Sequence, residues 1–246
     1  TQITEQELQL INDYLVAGGS LVTMLEPSAV TQLDPADDSL NSYLLENWGV
    51  GARDDFVVDL GSSLNYVGIG LSYGAHPITE RVSSFFTVYP SARSIEISEA
   101  ADPVRTITQL VMTSERSWGE TDFAAIAQER AIQYDEQIET VGPLTLAAAL
   151  EDSRQGARLV VIGDGDFASN GFFFEGGNGD FMVNSIDWAA RQEDLIDITP
   201  RQRTVRQVLP ATRSAVTLLV VGTTVVIPGG IVLAGGWVWW NRRKRA

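Results

Sequence analysis

The chain has 246 residues, no cysteine and one histidine, and its 32 acidic against 17 basic side chains give a formal charge of −15. The lack of cysteine excludes thiolate nucleophiles, disulfides, cysteine zinc sites and iron–sulfur clusters within this sequence. Eight of the basic residues lie in 201–246, which has no acid, so residues 1–200 carry −23 and would repel nucleic acid and anionic lipid.

The first 60 residues predict two helix–strand pairs. Thr4 and Glu7 form a capping box that begins a helix, and a buried strand follows at 21–25. Ser39 is predicted to cap a second helix, which precedes a strand at 56–60. The repeated order of helix, short loop and strand favours an α/β domain over residues 1–200.

The middle of the chain is rich in Gly, Ser and Pro. Residues 61–104 predict surface loops with short strand-like pieces at 85–89 and 95–97. The elements predicted after them are a strand at 105–113, a loop or short helix at 121–131, a helix begun by Pro143 over 144–151, a core strand at 158–162, a helix at 178–191 and a closing strand at 195–198.

The end of the chain carries the strongest single pattern. Residues 214–240 contain no charge, and about 20 apolar residues suffice to cross a bilayer core. Residues typical of a membrane interface follow: Trp237, Trp239, Trp240, Arg242 and Arg243. We therefore expect a basic linker at 201–213, a transmembrane helix at 214–240 with a bend near Pro228, and a basic tail at 241–246.

Three glycines recur every seven residues in this segment: Gly222, Gly229 and Gly236. Their spacing puts them near one helix face, where a partner's helix could approach closely, although glycine is also common in transmembrane helices. Four arginines precede the expected span and four basic residues follow it, so the positive-inside count is a tie. The contiguous positive charges of the tail favour a cytoplasmic C terminus. We therefore expect a single-pass protein of the cell membrane whose domain is extracytoplasmic.

Few residues suit catalysis. His76 lies beside Pro77, and no Gly-x-Ser-x-Gly sequence supplies a nucleophile, which favours a loop role over a place in a catalytic triad. The sequence has no Gly-x-x-x-x-Gly-Lys-Ser/Thr motif either, so it does not contain a P-loop ATPase.

Two carboxylates follow the strand predicted at 158–162. The turn 163–168 formally matches G-x-G-x-x-A, but Asp164 and Asp166 would put negative charge where the pyrophosphate of a dinucleotide lies. The same carboxylates could hold a hard cation in the crevice at a strand end. Asx turns that cap local backbone amides are the favoured alternative, with no metal and no cofactor.

A series of short sequence phrases runs in one order along nearly the whole chain: LVAGGSLV at 15–22, HPIT at 76–79, TS and SW at 113–118, Asp135 ahead of Gly142-Pro143, GDGDF at 163–167, and NGD and NSIDW at 178–188. With the apolar end and its arginines, this order resembles the C-terminal part of the GldG-like auxiliary components of ABC transport systems, named from gliding motility.

The resemblance implies an extracytoplasmic Rossmann-like domain related to the GIFT domain of intraflagellar transport, beside an ABC-2-type permease and a separate ATPase. It supplies no catalytic residues. Family members carry further residues upstream, and Thr1 stands where a start methionine is expected, so we expect the numbering to begin inside a longer or processed chain. The opening helix, Gly-Gly and strand are also distantly similar to glutamine-amidotransferase-like folds, whose cysteine nucleophile this sequence lacks.

These observations predict a non-catalytic, single-span auxiliary subunit of an ABC-type transporter. It would bind or scaffold outside the membrane, with a permease, an ATPase and the lipid bilayer as partners and without nucleic acid. A structural or accessory subunit of another membrane complex is the first alternative. The second is a hydrolase or ligand-binding receptor that uses His76, Asp164 and Asp166 in one crevice.

Overall fold

The structure is a computed structural model that describes residues 3–61, 67–98, 102–128, 130–192, 224 and 227–244. The chain divides into two compact units, Thr1–Thr199 and Pro200–Ala246.

The described helices and strands of the first unit, in chain order, are α1 (Glu5–Val16), β1 (Ser20–Met24), α2 (Ser28–Thr31), α3 (Ser39–Trp48), β2 (Val50–Ala52), β3 (Phe56–Asp59), β4 (Gly68–Gly70), β5 (Ser72–Tyr73), β6 (Thr87–Tyr89), β7 (Ile95–Ile97), β8 (Arg105–Met112), β9 (Ser117–Glu120), α4 (Phe123–Ala127), β10 (Thr140–Val141), β11 (Thr145–Asp152), β12 (Arg158–Ile162) and α5 (Asn178–Ala189). Three short 3-10 turns lie at Pro35–Asp37, Val82–Ser84 and Asp166–Ala168. The second unit contributes α6 (Ile227–Arg243).

Local sequence signals set the ends of the first helices. At α1 the Thr4 amide donates to Glu7 Oε2 over 2.9 Å, and the Glu7 amide donates to Thr4 Oγ1 over 3.3 Å, which confirms the capping box. At α3 the cap is Asp38 rather than Ser39, since Asp38 Oδ1 accepts from the Asn41 amide at 3.2 Å. Both predicted helices are therefore confirmed, the second with its cap moved by one residue.

A five-stranded sheet in the order β1-β12-β11-β8-β5 forms the centre of the first unit. β1 and β12 pair in parallel, from Ser20 opposite Arg158 to Met24 opposite Ile162, and the other three pairings of this sheet are antiparallel. A Rossmann-like sheet is mostly parallel. The prediction is corrected accordingly: the described unit is a mixed α/β domain with a single parallel pair in its main sheet.

The strand β11 replaces a predicted helix. The alanine-rich segment 144–151 has high helix propensity, and alanine is depleted in strands, yet β11 pairs on both edges with β8 and β12. Ala147, Ala148 and Ala149 are each at most 2 % exposed, because the strand is covered on both faces. Small side chains allow this close packing, so tertiary contacts override the local preference and the helix prediction is wrong.

Helices cover both faces of the sheet. Val160 and Ile162 of β12 pack with α5 residues such as Phe181 and Trp188 in one buried cluster. Leu159 and Val161, which point to the opposite face, pack with residues of α1 and α3 in a second cluster. The alternation follows from the period of two along a strand, and it gives three layers with β12 in the middle one.

Three smaller sheets accompany the main one, and two of them include strands from the predicted loop region 61–104. β10-β9-β3 form a three-stranded sheet, and the pairs β2-β7 and β4-β6 form two more. The strand-like piece predicted at 85–89 is confirmed as the shorter strand β6, and the piece predicted at 95–97 is confirmed as β7 with the same bounds. The strand predicted at 195–198 lies outside the described residues.

The predicted transmembrane helix is corrected. Within the described part of the chain, no helix combines the length and the apolar character that a bilayer crossing needs. The helix that the structure describes in this segment, α6, has 17 residues, about 26 Å at a 1.5 Å rise, and it includes Asn241 and Arg243 at its end. Most of the uncharged run before it, including Gly222, and the linker 201–213 lie outside the described residues.

Candidate functional site

The site is built where the two parallel strands of the main sheet end. Because β1 and β12 run side by side, their carboxyl ends lie at one edge, where α/β sheets commonly bind ligands. Glu26 follows the last residue of β1 by two positions, and Asp164 follows the last residue of β12 by two positions. The strand pairing therefore brings two acidic residues together that are far apart in sequence.

Both carboxylates accept hydrogen bonds from the backbone. Glu26 Oε1 accepts from the Gly165 amide at 2.7 Å and from the Asp166 amide at 3.1 Å. Asp164 Oδ1 accepts from the Phe167 amide at 3.1 Å, and its Oδ2 accepts from the Ser91 amide at 2.9 Å. The loops after β1, β6 and β12 are thereby tied to one another.

Ser91 connects the three acidic side chains. Its hydroxyl lies 3.3 Å from Glu26 Oε2 and 3.3 Å from Asp166 Oδ2, so it can donate to either carboxylate. We call Glu26, Ser91, Asp164 and Asp166 the acidic crevice. Asp164 is fully buried within it, whereas the side chain of Asp166 reaches solvent.

Burial and like charge change the protonation of the crevice. Burial, together with the neighbouring carboxylates of Glu26 and Asp166, raises the pKa of Asp164 to about 7 against the opposing effect of the Ser91 and Phe167 amides. Burial also raises the pKa of Glu26, with the charge of Asp166 adding and the Gly165 amide opposing. Asp164 therefore titrates near neutrality.

A cavity of about 470 Å³ opens beside Glu26, a volume in the range of small-molecule sites. Apolar and acidic side chains line it, among them Leu25, Leu33, Leu40, Glu26 and Asp38. The buried Arg93 braces this region, since its Nη1 donates to Glu26 O and to Asp38 Oδ2, both at 3.1 Å.

The crevice carboxylates make hydrogen bonds within the fold, and their arrangement gives less support to metal binding. Among the described residues, no group of three ligating side chains is arranged to hold a metal ion. Both oxygens of Asp164 already accept backbone amides, a local one from Phe167 and a distant one from Ser91. A cation-binding role for Asp164 and Asp166 stays a prediction.

The structure places His76 at the other end of β12. The His76 ring lies edge-on to the Trp188 ring, with centroids 4.7 Å apart. The Trp188 carbonyl accepts from Arg158 Nη1 at 2.8 Å, and Arg158 begins β12, whereas Asp164 follows its last residue. These contacts place the His76 ring against α5, and its sharing one crevice with Asp164 and Asp166 stays a prediction.

The residues predicted to pack or anchor in a membrane lie on α6 where they are described. Trp237, Trp239 and Trp240 are exposed, and Arg243 Cζ lies 5.2 Å from the centroid of the Trp239 ring. Gly229 and Gly236 have open space where a side chain would begin. The packing predicted for these glycines depended on the transmembrane helix that the structure corrects.

Sequence reasoning missed two members of the crevice, Glu26 and Ser91. The sequence does carry a signal for Glu26, because Glu26 and Asp164 each follow the last residue of a strand by two positions. That equal spacing predicts a shared site only once β1 is known to pair with β12. Ser91 lies in the loop between β6 and β7, and no sequence pattern marks it.

Comparisons with known proteins place the chain in a family. A family model described as an auxiliary component of an ABC-type uncharacterized transport system matches residues 1–185. A solved structure of the mmIFT52 N-terminal domain aligns with a TM-score of 0.53 at 16 % identity, covering 76 % of this chain and 72 % of that one, which shows a shared fold alone. Comparison with curated proteins gave no significant match. Since the family model spans most of the 246 residues, the chain belongs to the family of auxiliary components of ABC-type transport systems.

Proposed function

We propose that this chain is a non-catalytic auxiliary subunit of an ABC-type transporter, in which the acidic α/β unit binds and positions a partner. The observation that supports this reading is the hydrogen bonding of the crevice. Glu26 and Asp164 accept four backbone amides between them, so their oxygens hold loops in place. A nucleophile or general base would need an oxygen directed at a substrate.

The placement of His76 weakens the rival reading of a hydrolase. Acid–base chemistry that combined His76 with Asp164 and Asp166 would need the three groups within hydrogen-bond reach of one substrate. His76 instead packs on Trp188, near the first residue of β12.

The proposed partners are a permease, of the ABC-2 type, and a separate ATPase. The sequence of 246 residues contains no P-loop motif, so nucleotide hydrolysis would be supplied by another chain. Membership of the GldG-like branch is part of this proposal, and it rests on the order of sequence phrases between residues 15 and 188.

Affinity purification from the native host tests the proposal. A tagged chain should recover a permease and a Walker-motif ATPase in comparable amounts, identified by mass spectrometry. As a second arm, Asp164→Asn and Asp166→Asn should leave that recovery and transport unchanged if neither carboxylate reacts. Recovery of no transporter subunit, or loss of transport with an intact complex in these variants, would overturn the proposal.

The extracytoplasmic position of residues 1–200 stays a prediction. The chain has no cysteine, so a single Glu115→Cys at an exposed position can be labelled without background. Labelling of intact cells by a membrane-impermeant maleimide would support an extracytoplasmic position. Labelling only after lysis would contradict it.

A further inference from the structure

Four phenylalanines form an exposed cluster away from the acidic crevice, which we call the aromatic patch: Phe85, Phe86, Phe173 and Phe174. The exposed fractions are 51 % for Phe85, 47 % for Phe86 and 66 % for Phe174. Phe173 is half-buried and meets Phe174 edge-on, with ring centroids 5.2 Å apart. Several exposed aromatic side chains on neighbouring loops are unusual on a protein surface that has no binding role.

Two separate loops build the patch. The Gly177 amide donates to the Phe86 carbonyl over 2.8 Å, which joins the loop after Val82–Ser84 to the loop before α5. A side chain at Gly177 would begin 3.3 Å from Phe85 Cβ, and one at Gly179 would begin 2.9 Å from the Phe173 ring. Gly177 and Gly179 thus allow the loop before α5 to approach Phe85 and Phe173 closely.

A buried asparagine fixes the position of the patch. Asn178 Oδ1 accepts from the Val88 amide at 2.8 Å, while its Nδ2 donates to the carbonyls of Val88 at 2.9 Å and Phe167 at 3.1 Å. Asn178 is fully buried, so these bonds are shielded from water. The exposed rings therefore stand on ordered loops, and binding would require little further ordering.

The charges around the patch indicate its partner. The exposed charged residues near the phenylalanines in sequence are Glu80, Arg81, Glu175 and Asp180, which leaves a net negative surround, and residues 1–200 carry −23 with no lysine. An apolar centre with an acidic surround complements an apolar face ringed by Lys and Arg. A second copy of this acidic unit and an anionic lipid surface would both be repelled.

We infer that the aromatic patch is the docking surface for a basic, partly apolar face of a protein partner in the transport assembly. This inference rests on the proposed function, because it takes the partner to be a subunit of the transporter. The phenylalanines would enter the partner's apolar surface, and the carboxylates around them would meet its basic rim. Aromatic side chains at interface centres commonly carry most of the binding energy.

The test compares tagged full chains in the native host. Phe86→Ser with Phe174→Ser should lower the recovery of permease and ATPase by about tenfold or more, because two central aromatic contacts are lost. The matched control is Leu10→Ser with Ile138→Ser, since both residues are 69 % exposed and lie outside the patch. The control should recover the partners as the wild type does.

A second variant tests charge without touching the aromatic rings. Glu80→Arg with Glu175→Arg should also lower recovery, and wild-type recovery should fall as NaCl rises from about 0.05 M to about 0.5 M, because salt screens exposed charges. Circular dichroism and thermal melting should show wild-type folding for every variant. If the serine pair unfolds the chain, the arginine pair and the salt series decide the outcome.

Three results would overturn the docking surface. Equal recovery by the wild type and both patch variants would remove it while leaving the proposed function intact. Phenylalanine-dependent binding to phosphatidylcholine or phosphatidylglycerol vesicles would assign the patch to lipid. A wild-type dimer in sedimentation that the serine pair makes monomeric would assign it to a second copy. Recovery of no transporter subunit by the wild type would instead overturn the proposed function, and the docking with it.

Discussion

The acidic crevice and the aromatic patch share one segment, residues 163–178, which supplies two carboxylates to the crevice and two phenylalanines to the patch. The two regions differ in how far their side chains are exposed to water. In the crevice, Glu26 and Asp164 accept backbone amides, and the Ser91 hydroxyl can donate to Glu26 or to Asp166. In the patch, phenylalanines reach solvent while a buried amide side chain holds their loops. The acidic side chains that the sequence pattern suggests for ligand binding make hydrogen bonds within the fold instead.

The difference follows from where each kind of group finds its partner. A buried carboxylate without hydrogen bonds would cost several kcal/mol, so the fold supplies amides to Glu26 and Asp164. Exposed phenylalanine has no such requirement, and its contact with water is relieved only when another molecule covers it. Buried polar groups with hydrogen-bond partners therefore indicate a structural role here, whereas exposed apolar side chains indicate a binding role.

The largest expected effect concerns the pH dependence of stability and the buried Asp164. Its folded pKa is about 7 against an ordinary value of 3.8, so between these pH values the folded state holds a proton that the unfolded state has lost. Raising the pH across this window must therefore lower the free energy of unfolding, by on the order of 4 kcal/mol. The loss should be complete above the folded pKa and absent below the unfolded one.

Urea unfolding of the wild type and of Asp164→Asn from about pH 4 to about pH 8 measures this linkage. The variant cannot titrate, so its stability relative to the wild type should rise steadily across the window. Asp166→Asn is the matched control, since that side chain reaches solvent, and it should keep most of the wild-type slope. A wild-type curve that rises with pH over this range would show that the crevice favours the charged carboxylate.

Asn178 should show the next largest effect, because it anchors the patch rather than the crevice. Asn178→Ala would leave the backbone amide and carbonyl of Val88 and the Phe167 carbonyl without their partner in a buried place. The expected loss is about 3 kcal/mol in the free energy of unfolding.

A second asparagine of α5 serves as the control for this prediction. Asn184 donates to the Ile78 carbonyl at 3.0 Å and is 9 % exposed, so Asn184→Ala should cost about 1 kcal/mol. Chemical denaturation of both variants measures the difference. Equal losses would mean that the patch loops are not held in the way that their hydrogen bonds indicate.

Ser91→Ala should have a smaller effect in the crevice, about 1 kcal/mol. The change removes a hydroxyl that lies 3.3 Å from both Glu26 and Asp166, while the Ser91 amide still donates to Asp164. Because burial raises the pKa of Glu26, that carboxylate is less ionised at pH 5 than at pH 8, so the destabilisation should be greater at pH 8. Thermal melts of the wild type and the variant at both pH values test this prediction. An identical loss of stability at pH 5 and pH 8 would mean that the hydroxyl does not stabilise the ionised carboxylate.

The sequence predicted the local elements well and their assembly poorly. The capping box at Thr4 and the buried strand at 158–162 both depend on residues close in sequence, and each appears in the structure. β11 failed because its alanines favour a helix until two neighbouring strands pair with it. Propensity describes a residue alone, whereas a central strand is stabilised by its neighbours.

The sites show the same limit. Asp164 was visible as part of a Gly-Asp-Gly-Asp turn, but its hydrogen bonds with Ser91, 73 positions away, depend on long-range pairing. The aromatic patch was not predicted either, since the loops that carry Phe85 and Phe174 are joined by a long-range hydrogen bond from Gly177 to Phe86. The uncharged run at 214–240 met a length rule for bilayer spans, yet none of the described helices is long and apolar enough to cross a bilayer.

The smallest expected effect is the one that separates the two regions most sharply. Phe86→Ser with Phe174→Ser should change the free energy of unfolding by no more than about 0.5 kcal/mol per site, because both rings are largely exposed in the folded chain. Phe167→Ala is the contrasting variant. Its ring is fully buried and stacks on Tyr89 with centroids 5.4 Å apart, so its loss should cost about 4 kcal/mol.

Denaturant unfolding of these variants measures whether the patch contributes to the isolated fold. Stability close to wild type together with lost partner recovery would mean that the exposed rings are retained for recognition, since their removal costs the fold almost nothing. A loss of several kcal/mol in the serine pair would instead show that the phenylalanines stabilise the loops before α5. The patch would then belong with the crevice, as a region whose side chains act inside the molecule.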